Sequence, residues 1–157
     1  MSVLTAEDHD HLERAIELAQ FGFGRVHPNP MVGAALVRDG SVLGEGWHEE
    51  HGGAHAEVNA IANAGGADLT GATLYVSMEP CCHQGKTPPC TDAILAANIT
   101  RVVVASDDPS SKAAGRGLGI LRDEGVEVEV ADGEIARRAR LVNPAFRKHA
   151  RTGRPWV

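Results

Sequence analysis

Two short stretches concentrate the residue types that hold a metal and move protons. They are His55-Ala56-Glu57 and Glu79-Pro80-Cys81-Cys82-His83-Gln84-Gly85-Lys86-Thr87-Pro88-Pro89-Cys90. One histidine and two cysteines, His55, Cys81 and Cys90, make a three-ligand zinc site with a fourth position open for water. That is the arrangement of a catalytic zinc, whereas a structural zinc is closed by four protein ligands. Thiolate rather than thiol binds metal, and the unpaired N–H groups at a helix start favour the thiolate. Two thiolates and a neutral histidine offset the charge of Zn²⁺, so bound water is expected to be less acidic than at a three-histidine zinc, where its pKa is about 7. A base is therefore needed, and Glu57 is the candidate catalytic residue. Residues two apart point to opposite sides of a helix. His55 and Glu57 thus converge only if His55 stands in extended backbone at the helix start, which the Gly52-Gly53 break permits.

An H-x-E triplet followed by P-C-x-x-C is the signature of zinc deaminases, with the glutamate outside the metal shell as general acid/base. Here eight residues rather than two separate Cys81 from Cys90. The longer form, E-P-C-x-H-x-G-K-T-P-P-C, resembles the deaminase domain of the bifunctional riboflavin-biosynthesis deaminase/reductase family. The resemblance extends to His27-Pro28-Asn29-Pro30-Met31-Val32-Gly33, Gly44-Glu45-Gly46-Trp47-His48, Asp108-Pro109 and Gly115-Arg116-Gly117, and so covers nearly the whole chain. It implies a cytidine-deaminase-like fold and hydrolysis of the 2-amino group of 2,5-diamino-6-(5-phosphoribosylamino)pyrimidin-4(3H)-one, giving the 5-amino uracil and ammonia. Asn29, His48, His83, Lys86 and Asp108 match family positions that line the substrate pocket. Lys86 and the histidines suit a phosphate, and Asn29 can both donate to and accept from a pyrimidine edge. The chain departs from the family at Ser110, where a pocket asparagine is usual, and at Cys82, where serine is common.

Thr152 to Val157 matches the segment with which the family's reductase domain opens. The expectation is one deaminase domain over residues 1–157, no reductase domain within it, and a fused or separate reductase as partner to a homo-oligomer. Two rival readings stay open. One is a nucleoside, nucleotide or tRNA deaminase with the same zinc chemistry, against whose tRNA-editing form the cysteine spacing and the acidic charge count. The other is a non-catalytic zinc module that docks to a reductase, against which Glu57 and the open ligand position count.

A net charge of −6 disfavours a nucleic-acid partner, which normally demands a basic face, and 4% aromatic residues leave little for base stacking. The basic stretch from Arg137 through Arg147 and Lys148 to Arg154 reads as a solvated helix face leading towards a partner domain. The N-terminal residues resemble neither a secretory nor a transit signal, and no apolar run approaches the length of a membrane span. These features point to the cytoplasm, where three cysteines within ten positions suggest metal or catalysis rather than disulfides.

The elements that must position these residues follow from periodicity. Thr5 with Asp8 resembles a capping box ahead of a helix reaching Phe23. Met31–Val37 and Val42–Trp47 form a hairpin about Asp39-Gly40. Helices are predicted over 54–64, from Pro88 to about 98, over 117–124 and over 134–150, with a break or kink at Pro144. Strands are predicted over 73–77 and 101–105, with 126–130 an edge strand whose Glu127 and Glu129 face water. The order predicts a three-layer α/β/α domain on a five-stranded mixed sheet.

Overall fold

In the computed structural model, residues 4–82, 88–110 and 115–155 are described. Helix α1 (Ala6–Gln20) starts at a complete capping box. Asp8 N–H donates to Thr5 Oγ1 at 3.1 Å and Thr5 N–H to Asp8 Oδ2 at 2.9 Å. Strands β1 (Gly33–Arg38) and β2 (Ser41–Trp47) then pair antiparallel. Asp39 (φ 52°) and Gly40 (φ 77°) turn the chain between them in the left-handed backbone that two-residue hairpin loops favour. There follow α2 (Ala56–Asn63), β3 (Thr73–Val76), α3 (Cys90–Ala96), β4 (Arg101–Val104), α4 (Arg116–Asp123) and β5 (Glu127–Val130). The chain continues through α5 (Gly133–Leu141) and α6 (Pro144–Thr152). Pro144 thus opens a new helix at its first position, where its missing N–H costs nothing.

The sheet order is β2-β1-β3-β4-β5, with β1 antiparallel to β2 and β3, and β3, β4 and β5 parallel. The expected five-stranded mixed sheet is the one observed. Side chains of alternate residues feed two separate cores. Leu74, Val76, Val102 and Val104 pack beneath Ala56 and Ala60 of α2, Ile94 of α3 and Leu121 of α4. Tyr75 and Val103 face the other way, towards Leu12 and Ile16 of α1 and Ile135 and Ala139 of α5. The sheet is therefore the middle of three layers.

Glycine sets the distance between α2 and the sheet. A β-carbon at Gly44 would strike Ala60 O, and one at Gly46 would strike Ala60 N, Asn59 C and Ala56 O. The helix that carries Glu57 thus lies directly on the β2 backbone.

Two sequence expectations need correction. Glu129 is buried at 6% exposure rather than wet, because it joins Arg101 and Asp8 in an ionic cluster. The Asp8 carboxylate also accepts from Tyr75 Oη at 2.6 Å. Arg147 is likewise buried, at 9% exposure, although its neighbours on the basic stretch are largely exposed. Among the described residues, no helix is long and apolar enough to cross a membrane.

Candidate active site

The site forms beyond the carboxyl ends of β3 and β4, the edge at which α/β sheets collect ligands. The backbones there are laced together. Gly33 N–H donates to Ser77 Oγ at 3.0 Å, and Ser106 Oγ donates to Ser77 O at 2.6 Å. His55 is the N-cap of α2, with φ −75° and ψ 166°, and Glu57 lies in the first turn. The extended backbone at His55 resolves the geometric tension of the H-x-E triplet, because only Glu57 obeys the helical direction. Cys90 opens α3, and Cys81 stands just after β3 behind the fully buried Pro80. A β-carbon at Gly117 would strike Pro80 O, so the start of α4 also braces the cysteine segment.

The donor atoms of His55, Cys81 and Cys90 lie within 4.8 Å of one another. His55 Nδ1 is 3.2 Å from Cys90 Sγ and 3.5 Å from Cys81 Sγ. A tetrahedral zinc with bonds of about 2.0–2.1 Å to nitrogen and 2.3 Å to sulfur has N···S edges of about 3.5 Å. The cluster therefore fits zinc in donor chemistry and in spacing. Cys81 is drawn down to about 4 by hydrogen bonding from Cys90, with His55 assisting. Cys90 is pushed up beside the Cys81 sulfur. Hydrogen bonding to Cys81 raises His55, and a cation arriving at its nitrogen displaces that proton.

Glu57 is 3% exposed, and burial raises its carboxyl to about 7. A group poised near neutrality is what proton transfer in both directions requires. It lines a cavity of about 300 Å³ together with His55, Cys81, Asn29, His48 and Asp108. The sequence-predicted residues that fall in the described chain are thus brought to one place, with Cys90 buried at its back. His83 and Lys86 lie outside the described residues.

The pocket's polar groups constrain one another. His48 Nδ1 is 3.0 Å from Ala54 O, which can only accept, so that nitrogen carries the proton. His48 Nε2 then accepts from Asn29 Nδ2 at 3.1 Å. Burial lowers the pKa of His48 and keeps it neutral, and its rings-apart partner His55 stands edge-on at 5.3 Å. With both nitrogens engaged, His48 orients Asn29 and leaves the amide oxygen available to a ligand. Asp108 accepts from Ser110 N–H at 2.8 Å.

Glu79, Met78, Pro30, Val32, Ser110 and Phe146 also line the cavity. Ser110 stands where the resemblance places a pocket asparagine, whereas Glu79, Met78, Pro30, Val32 and Phe146 were not site candidates from sequence. Glu79 had a signal, its place in the E-P-C run, and its carboxylate accepts from Gly115 N–H at 2.8 Å. Burial raises its pKa. Phe146 had no signal, because it reaches the cavity only through the fold.

The fold and the donor set define a zinc-dependent deaminase domain. Residues 5–106 match the cytidine and deoxycytidylate deaminase zinc-binding region. The chain is 45% identical over 156 residues to the riboflavin biosynthesis protein RibD of Actinobacillus pleuropneumoniae, covering 99% of this chain and 41% of that one. It is 41% identical over 149 residues to the diaminohydroxyphosphoribosylamino-pyrimidine deaminase of Buchnera aphidicola, covering 95% of this chain and 99% of that one. The solved structure of Acinetobacter baumannii RibD superimposes with a TM-score of 0.89 at 42% identity, over 96% of this chain and 41% of that one. A dCMP deaminase of cyanophage S-TIM5, at 23% identity and a TM-score of 0.63, shares the fold. The chain belongs to the cytidine and deoxycytidylate deaminase family, among its diaminohydroxyphosphoribosylaminopyrimidine deaminases. It spans about 41% of the length of the RibD relatives.

Proposed function

We propose that the chain hydrolyses the 2-amino group of 2,5-diamino-6-(5-phosphoribosylamino)pyrimidin-4(3H)-one, releasing ammonia and the 5-amino uracil, in riboflavin biosynthesis. The observation that carries this reading is a buried glutamate of pKa about 7 in the same cavity as a three-donor zinc cluster. The Buchnera relative, matched over 99% of its length, carries the name of that activity.

His55, Cys81 and Cys90 would hold the zinc, which when bound supplies a Lewis acid that makes water a competent nucleophile near neutral pH. Glu57 takes a proton from the attacking water as its oxygen bonds to the ring carbon bearing the amino group. Glu57 passes that proton to the ring nitrogen, then carries the second proton from the newly added hydroxyl to the departing amine. The carbon–nitrogen bond breaks, ammonia leaves and the oxygen remains as the ring carbonyl. Asn29, held through His48, offers its amide oxygen to an N–H of the pyrimidine edge. Asp108 offers a carboxylate oxygen to the same ligand. Lys86 and His83 are assigned the phosphate on the residue pattern alone. A cytoplasmic homo-oligomer working beside a fused or separate reductase belongs to the same proposal, and the length of the RibD relatives beyond the matched region supports the reductase.

The test compares ammonia release from the phosphoribosylated diaminopyrimidine, cytidine and deoxycytidylate. The first should be turned over with kcat/KM roughly 10⁴-fold above the others, the discrimination available when a buried polar site is left unpaired by the wrong ligand. Preference for cytidine or deoxycytidylate would reassign the substrate. Silence on all three with zinc bound would favour a docking module.

A further inference from the structure

The N-cap of α6 and two residues of its first turns face the cavity side, one lining the cavity and two holding residues that adjoin its lining. Asn143 at the N-cap, Phe146 and Arg147 stand at i, i+3 and i+4, on one helical face. Asn143 clasps one residue at both ends, since Met31 N–H donates to its Oδ1 at 2.7 Å and its Nδ2 donates to Met31 O at 2.7 Å. Met31 directly follows Asn29 and Pro30, both in the cavity lining. Arg147 donates to Asp107 O at 2.8 Å and to Asp107 Oδ1 at 3.1 Å. Asp107 directly precedes Asp108, which lines the cavity with Ser110. Phe146 lies between the two clasps and lines the cavity itself.

Neither segment belongs to a helix or strand, so neither has a ladder of its own to fix its backbone. Asn143 gives Met31 the donor and acceptor that a strand neighbour would give. Arg147 supplies a two-pronged, charge-assisted grip on Asp107. Asn143 and Arg147 are buried, at 7% and 9% exposure, so water competes weakly for the Asn143–Met31 pair. The Asp107 carboxylate that receives Arg147 is half exposed, and that grip relies on the second bond, to the Asp107 backbone carbonyl.

We propose that α6 is a strap that sets the width of the cavity mouth. Asn143 and Arg147 are positioning residues that hold segments 29–31 and 107–110 at a fixed separation, and Phe146 is the apolar wall against which the substrate lies. The effect on turnover rests on the deaminase reading, whereas the strap itself does not.

Arg147→Met, Asp107→Asn, their combination, Asn143→Ala and Phe146→Ala are compared with the parent by zinc content, steady-state kinetics and amide hydrogen exchange. In Arg147→Met the exchange of Asp108 and Ser110 N–H accelerates, and in Asn143→Ala that of Met31 N–H does, while α2 keeps its protection and zinc stays bound. Arg147→Met raises KM roughly tenfold with kcat within about threefold, the scale of a sub-ångström misplacement. Asp107→Asn adds little to it, because Arg147 acts through Asp107. Phe146→Ala raises KM without moving either exchange signal. Unchanged exchange at Asp108 and Ser110, equal acceleration throughout α2, or fully additive losses in the pair would each overturn the strap. If the parent does not turn over the phosphoribosylated compound, the functional reading fails while the exchange data still decide the strap.

Discussion

The backbone N–H of Cys90 donates to Cys81 Sγ across 3.2 Å. The start of α3 therefore supplies one donor sulfur and polarises the other. This explains why two cysteines nine positions apart can act as a pair: α3 begins at the second, and its first N–H groups have no partner within the helix.

Cys90→Ala removes a ligand and keeps that N–H. It should reduce bound zinc from one per chain to near none and lower the unfolding midpoint, since metal-binding energy is folding energy. Elemental analysis of the purified variant decides it. Full zinc retention would remove Cys90 from the ligand set.

Glu57→Gln keeps size and lies outside the donor cluster, so zinc and fold should persist. Activity should drop by roughly 10²–10⁴-fold, the usual contribution of a general acid/base. Substantial residual turnover would move the base elsewhere, with His83 the next candidate.

Lys86→Ala addresses the phosphate. If Lys86 meets it, the phosphoribosylated substrate should lose strongly while a dephosphorylated analogue is barely affected, measured at fixed moderate salt because exposed ion contacts are screened. Equal losses on both compounds would make Lys86 a loop support.

The Asp8 cluster gives acid sensitivity far from the cavity. Hydrogen bonding from Arg101 holds the Asp8 carboxyl well below the usual carboxylate range, against the opposing effect of burial. A depressed folded-state pKa contributes stability that is complete above the unfolded value, about 3.9, and is lost as pH falls below it. Asp8→Asn should be less stable at pH 7 by roughly 3 kcal/mol, as a broken buried pair is. Its deficit should narrow by about 1 kcal/mol between pH 5 and pH 3. Parallel unfolding curves over that range would contradict the assignment.

Gly46→Ala probes the seat of α2. Its β-carbon has no room beside Ala60 N and Ala56 O, so the helix must lift. Stability should fall by about 1–3 kcal/mol, and zinc should bind more weakly as His55 shifts. Gly119→Ala is the control, because nothing lies within 4 Å of the new carbon. It should be neutral or stabilising by up to about 1 kcal/mol. Equal behaviour of the two variants in chemical denaturation and zinc titration would show that close packing at β2 does not govern the site.

Local chemistry determined much of this protein. The H-x-E triplet needs only a helix start to aim its two side chains, and the Gly52-Gly53 break and the extended backbone of His55 ahead of α2 provide it within a few residues. The Thr5–Asp8 box, the Asp39-Gly40 turn and the break at Pro144 are likewise short-range facts of backbone sterics and hydrogen bonding. Asn29, His48 and Asp108 had no such local reason and came from family resemblance. The fold supplies the physical one, by bringing the loops after β2 and β4 and the loop before β1 to one cavity.

Tertiary structure alone decided the rest. The pKa of Glu57 depends on burial beneath residues distant in sequence. The tautomer of His48 depends on a carbonyl six residues away and an amide nineteen away. Charge pattern places Glu129 and Arg147 at the surface, because a charge is costly to bury without a partner. Their partners, Arg101 and Asp107, stand 28 and 40 positions off, and only folding sets them side by side.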